Sequence, residues 1–162
     1  MKSRKNDFFR GKRTEEKFMV VASDIGYDVV KSDLQTDIKK HIDFFLTKDE
    51  KTIGVDVKGN NKQEEIWCEF KNVEGNDGWM YGEADIIAFD MPSQEYFCVV
   101  DRKELMSLCE FVVSDNLVYN KSEAFRNKYQ RKGRKDQITR MTEEDISSLV
   151  SFSVWEYTRD FS

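Results

Sequence analysis

The stretch from His41 to Lys58 restricts the fold more than any other part of the chain. His41-Ile42-Asp43-Phe44-Phe45-Leu46 is an apolar run of strand length, and Thr47-Lys48-Asp49-Glu50-Lys51 is a polar turn. Thr52-Ile53-Gly54-Val55-Asp56-Val57-Lys58 then alternates as a strand with one buried face does. Together they predict a β-hairpin. With the turn centred between Asp49 and Glu50, antiparallel partners have residue numbers summing to 99, which sets Asp43 opposite Asp56. Lys58, two residues further on, projects from the same side of the sheet as Asp56. The hairpin therefore gathers two acids and a lysine near one end.

The remaining pattern surrounds this hairpin with further strands and helices. From Thr14, a good N-cap, the run Glu15 to Ile25 places Phe18, Ala22 and Ile25 on one stripe and stops before Gly26, a natural residue just past a helix end. Strands are predicted over Tyr27 to Ser32, Ile66 to Lys71, Ala84 to Phe89 and Tyr96 to Val100. Helices are predicted over Arg102 to Phe111, Ser122 to Lys132 before Gly133, and Thr142 to Val150, where Asp145 completes a capping box. No repeat, low-complexity tract or linker interrupts the 162 residues, so they read as one unit, residues 1–162, with residues 1–13 as a flexible basic arm. The fold class is α/β, a mixed β-sheet flanked by helices.

Net charge is −5, which taken alone argues against a polyanionic partner, but the charge is unevenly distributed. Residues 1–13 hold six cations, among them Arg10, Lys12 and Arg13, against one acid. Residues 121–140 hold eight, among them Arg126, Arg131, Arg134 and Lys135, against two acids, leaving the remainder at −16. A basic phosphate-binding surface beside an acidic metal site has this asymmetry, and so does a solvated helix face, whose C-terminus favours cations. The opening residues carry no apolar signal segment and no stretch reaches the length of a membrane span, so a cytoplasmic protein without membrane contact is expected. Cys68, Cys98 and Cys109 lack zinc spacing and each lies in an apolar run, where a thiol acts as a small hydrophobe.

Like charges on facing strand positions cost stability, and a bound divalent cation removes that cost. Hard oxygen ligands on a rigid sheet suit Mg²⁺, with Mn²⁺ as a substitute, and leave coordination positions for phosphate oxygens. Lys58 could then orient an attacking water or offset developing negative charge. No organic cofactor is implied.

The residues resemble the PD-(D/E)xK nuclease superfamily, in which an acid on one strand is followed by acid-x-Lys on the next, here Asp43 and Asp56-Val57-Lys58. Arg10-Gly11-Lys12-Arg13-Thr14-Glu15-Glu16-Lys17-Phe18, ahead of Ile25-Gly26-Tyr27, is similar to the opening of archaeal Holliday-junction resolvases. The resemblance covers residues 10–60. It implies a restriction-endonuclease-like fold, metal-dependent cleavage of DNA with Asp43, Asp56 and Glu15 holding the cation, branched DNA as a substrate, and a homodimer. Ile42 replaces the proline of the family name, and Asp56 stands where many members have glutamate.

Other readings stay open. Glu69-Phe70-Lys71 is a second acid-x-Lys, although Glu69 has no mirror acid in the hairpin. Asp-x-Lys on an amphipathic strand is also a common solvated face. The single histidine, His41, reads as structural, as does Asp85, and Trp79 and Tyr81 suit either base stacking or core packing. A catalytically inactive nucleic-acid-binding module of the same fold is the alternative function, and RNA is not separable from DNA at this level.

Overall fold

The computed structural model describes the backbone of residues 2–59 and 65–162, and side chains from residue 13 onward within those spans. Helix α1 (Lys2–Asp24) leads into strand β1 (Asp28–Lys31), the short helix α2 (Leu34–Lys40), and strands β2 (Phe44–Lys48) and β3 (Lys51–Lys58). Strands β4 (Glu65–Lys71), β5 (Ile86–Met91) and β6 (Tyr96–Asp101) precede helix α3 (Arg102–Val112). Then come β7 (Ser114–Val118), β8 (Asn127–Tyr129), β9 (Gln137–Thr142), α4 (Glu143–Ser147) and β10 (Ser153–Glu156). The strands form two mixed sheets, one of six in the order β1-β2-β3-β5-β6-β10 and one of four in the order β4-β9-β8-β7. The α/β fold with flanking helices is as expected, but the strands divide between two mixed sheets and not one.

The hairpin forms in the expected register. Phe44 pairs with Val55, Phe45 with Gly54 and Lys48 with Lys51, with Asp49 and Glu50 both at positive φ in the turn. On its other side β3 runs parallel to β5, with Val55 beside Ile86 and Lys58 beside Phe89. Alternation sorts the side chains onto two faces. Val55, Val57, Phe44 and Leu46 join Phe18, Val21 and Ala22 of α1 and Phe97 of β6 in one apolar cluster. Ile87, Phe89, Ile66, Cys68, Met80, Trp79, Leu105 and Cys109 make a second cluster between the six-stranded sheet, β4 and α3. All three cysteines are buried free thiols, as their apolar surroundings imply.

Four expectations are corrected. Helix α1 begins at Lys2, not at Thr14, so the backbone of residues 2–13 belongs to this helix and not to a separate arm. Thr14 is buried within the helix and its hydroxyl reaches Asp90 on β5, 3.5 Å away, in place of a capping role. Ile25 lies outside the buried stripe, and Val21 takes that place with Phe18 and Ala22. The helix expected over Ser122 to Lys132 is absent: a 3₁₀ turn, Lys121–Glu123, is followed by strand β8. Pairing to a distant segment overrides local propensity there, because the carbonyl of the fully buried Ala124 accepts from the Arg140 N–H of β9.

The loop between β4 and β5 is fitted closely. A Cβ at Gly78 would lie 2.4 Å from the carbonyl oxygen of Glu69, so only glycine lets the chain turn into the 3₁₀ segment Trp79–Tyr81. Gly78→Ala should destabilise the fold by roughly 1–3 kcal/mol, the usual range for overpacking, as read from denaturant midpoints. Phe18, with no exposed surface, contacts Phe44, Phe97 and Trp155. Phe18→Ala should cost about 3–5 kcal/mol in the same measurement, because it leaves a cavity under the centre of the sheet.

Candidate active site

Strand β2 stops being paired just where the acids begin. The Asp43 N–H still donates to the Val55 carbonyl at 2.8 Å. Beyond the last paired residues, the Val57 N–H of β3 is taken by Asp43 Oδ2 at 2.7 Å, so a side-chain oxygen acts there where a strand neighbour would. This fixes Asp43 beside Asp56. Burial, then the neighbouring Asp56 charge, push the Asp43 carboxyl up to about 9, against the pull of the Val57 N–H. Asp56 is 3% exposed, and burial raises it too, opposed first by the charge and hydrogen bond of Lys58. Asp56 Oδ2 is buried with no hydrogen-bond partner. A buried, unpartnered carboxylate oxygen beside a second raised carboxyl is unfavourable for the protein alone and suited to a cation.

Lys58 lies 3.1 Å from Asp56 Oδ1, and its ammonium stands 4.9 Å from the centre of the Trp79 ring. Both Asp56 and Lys58 face away from α1, since their neighbours Val55 and Val57 occupy the α1 face. Trp79 is buried against Phe89 in an edge contact, so it forms a floor for Lys58 rather than a free stacking surface. Tyr81 is partly exposed and its hydroxyl donates to Glu110.

Glu69, the acid of the second acid-x-Lys, belongs to the four-stranded sheet and not to a strand paired with β3. It accepts the Trp79 N–H at 3.3 Å, and burial raises its carboxyl against the opposing charge of Lys58. The two acid-x-Lys segments therefore approach from different sheets, with Lys58 between their carboxylates electrostatically. Asp85 is a structural acid, accepting the Gly54 N–H at 2.8 Å. His41 ends α2 in the left-handed conformation.

Glu15 reaches the site from α1. Its Oε2 pairs with Lys31 Nζ at 2.7 Å, while Glu16 points outward. Potential ligand oxygens of Glu15, Asp37 and Asp43 all lie within 4.8 Å of one another. Asp37 was not singled out from the sequence. It sits on α2, whose signals were legible: Asp33 caps Thr36 N–H, and Lys39 and Lys40 fill the last turn. Asp43 is thus common to two groupings, the buried pair with Asp56 and the more open trio with Glu15 and Asp37.

The basic residues are distributed less simply. Arg10 and Lys12 lie outside the residues whose side chains are described. Arg13 donates to the Phe161 carbonyl at 2.7 Å, Arg126 pairs with Asp145, and Arg131 holds the fully buried Asp136 at 2.6 Å. Arg134 and Lys135 are exposed in the turn before β9. The Lys135 N–H donates to the Val73 carbonyl, so this turn and the loop leading to Trp79 are joined.

No protein-family model matches the chain, and no curated protein matches it. Among solved structures, a bacterial homing endonuclease, I-Ssp6803I, superimposes with a TM-score of 0.49 at 12% identity, covering 83% of this chain and 77% of that one. Among the described residues, no helix is long and apolar enough to cross a membrane.

The raised Asp43 carboxyl sets a pH dependence. A carboxyl that holds its proton more tightly folded than unfolded stabilises the fold while protonated. That contribution is complete below the ordinary value near 3.8 and is lost as pH rises toward about 9. In chelator, the melting temperature should therefore fall between pH 5 and pH 9. Asp43→Asn, which keeps an acceptor for Val57 N–H, should flatten the profile and melt above the wild type at pH 8, each ~1 kcal/mol moving the midpoint by roughly 2–4 °C. A wild-type profile as flat as that of Asp43→Asn would contradict this account.

Proposed function

We propose that the chain is a divalent-metal-dependent endonuclease hydrolysing phosphodiester bonds of DNA. The observation that carries this reading is the buried Asp56 Oδ2, without a partner, beside the raised carboxyl of Asp43 and on the same face as Lys58. Asp43 and Asp56 would hold the cation, with Glu15 completing its shell directly or through water. Mg²⁺ or Mn²⁺ there would supply polarisation of a phosphate oxygen and an acidified water.

The chain's own residues divide the remaining work. Lys58 is pinned by Asp56 and supported from below by Trp79, so its ammonium is directed without being locked. It can orient an attacking water or meet negative charge as it develops on the phosphate. Val57 N–H fixes the Asp43 carboxylate, which spares the site the cost of ordering that group during the reaction. Arg134 and Lys135 supply exposed charge for the phosphate backbone, which positions a substrate without reading its sequence. Arg126 and Arg131 already serve internal ion pairs, and their part in nucleic-acid binding would require sharing that charge. Branched DNA as substrate, a homodimer that cuts two strands, and a cytoplasmic setting belong to the same proposal, supported by the likeness of residues 10–60 to junction resolvases.

The test is cleavage of labelled four-way junction, flap, linear duplex and single-stranded substrates with Mg²⁺, Mn²⁺ or Ca²⁺. Wild-type cutting with Mg²⁺ or Mn²⁺ is expected, with Asp56→Asn and Lys58→Ala each about a hundredfold slower or worse. Salt-dependent binding with no cutting under any cation would instead identify an inactive nucleic-acid-binding module. Absence of both would remove nucleic acid as the partner.

A further inference from the structure

The acid cluster already holds a positive charge of its own. Lys31 projects from β1, the edge strand of the six-stranded sheet, and its ammonium lies 2.7 Å from Glu15 Oε2 and 5.6 Å from the centre of the Phe44 ring. Glu15 is one of three acids, with Asp37 and Asp43, whose ligand oxygens all lie within 4.8 Å of one another, so the ammonium stands against a group that could share one cation. Asp43 is shared between this cluster and the buried pair with Asp56, whose Oδ2 is buried and without a hydrogen-bond partner.

Lys31 also differs from a lysine built into the structure. The Lys31 side chain is 61% exposed, whereas Lys17, which pairs with Asp90 at 2.6 Å, is 12% exposed. Four flexible methylenes rooted on an edge strand give Lys31 a free path to water. A divalent ion carries twice its charge and can take several carboxylate oxygens at once, as an ammonium with three donors does less well.

Resting on the cation-binding reading above, we propose that Lys31 is a built-in competitor for the divalent ion. Its ammonium fills the mouth of the Glu15–Asp37–Asp43 cluster in the metal-free protein and must swing outward when the ion enters. The lysine keeps the cluster tolerable without metal and sets a threshold of cation concentration for occupying the site.

The experiment is calorimetric titration of Mn²⁺ into the full chain without nucleic acid, for the wild type, Lys31→Met, Lys31→Arg and Lys40→Met. Lys31→Met should bind roughly two- to fivefold more tightly, a range in keeping with the loss of an exposed ion pair. Lys31→Arg, which keeps the charge, should stay near the wild type. Lys40→Met removes an equal charge from α2, where Lys40 pairs with Glu83 at 3.7 Å, and should change affinity less than Lys31→Met does. Wild-type binding with unchanged or weaker affinity in Lys31→Met would overturn the competitor while leaving the cation site standing. Equal tightening in Lys40→Met would likewise overturn it, as a general charge effect. If neither the wild type nor Lys31→Met binds, the site and the competitor fall together.

Discussion

The hydrogen bond from Val57 N–H to Asp43 Oδ2 joins the architecture to the chemistry of this molecule. On the architectural side it prolongs the hairpin by one rung after the backbone pairing of β2 has ended. On the chemical side it anchors an acid within the field of another, at a depth where neither is well solvated. The surrounding elements are arranged about this point: α1 brings Glu15, α2 brings Asp37, and the loop after β4 brings Trp79 beneath Lys58. Remove the anchor and those elements still fold, but they no longer converge on a fixed carboxylate.

A second buried acid shows what a purely structural solution looks like in the same sheet. Asp90 on β5 is 1% exposed, and it is fully engaged: Oδ2 meets Lys17 at 2.6 Å and Thr14 at 3.5 Å, and Oδ1 accepts from the Tyr157 hydroxyl. Burial and this carboxylate hold the Tyr157 proton firmly. Asp56 has one oxygen on Lys58 and the other on nothing. Two acids of similar burial thus differ in what the protein supplies to them, one with both oxygens engaged and one with an oxygen left open.

Sequence reasoning read this hairpin well because its alternation, turn and register all act locally. The sum rule for partner residues holds along its length, and the helices after Asp101 and Thr142 begin where their caps predict. What escaped it depends on pairing across long separations. Strands β7, β9 and β10 were not recognised, and the basic stretch around Arg126 is drawn into strand pairing with β9 although its composition suggests a helix. The placement of Glu69 escaped for the same reason: strand order is not written in any one strand, and β4 left the hairpin's sheet for another. Helix α2 with Asp37 was missed although its cap at Asp33 is a local signal, and the approach of Asp37 to Glu15 is a tertiary fact.

Strand β10 closes the far edge of the six-stranded sheet, and its Trp155 stacks on Phe18 of α1 and on Tyr27. Just beyond it, Arg159 grips Asp24 through two nitrogens. The first helix therefore packs on the hairpin made soon after it, and gains the rest of its apolar cover from residues made more than a hundred positions later. During synthesis α1 can pack on the hairpin first, and the side of Phe18 that meets Trp155 stays uncovered until β10 follows. Loop closure over such separations is slow, so the docking of β10 should come late in folding, after the local hairpin and α1 have met.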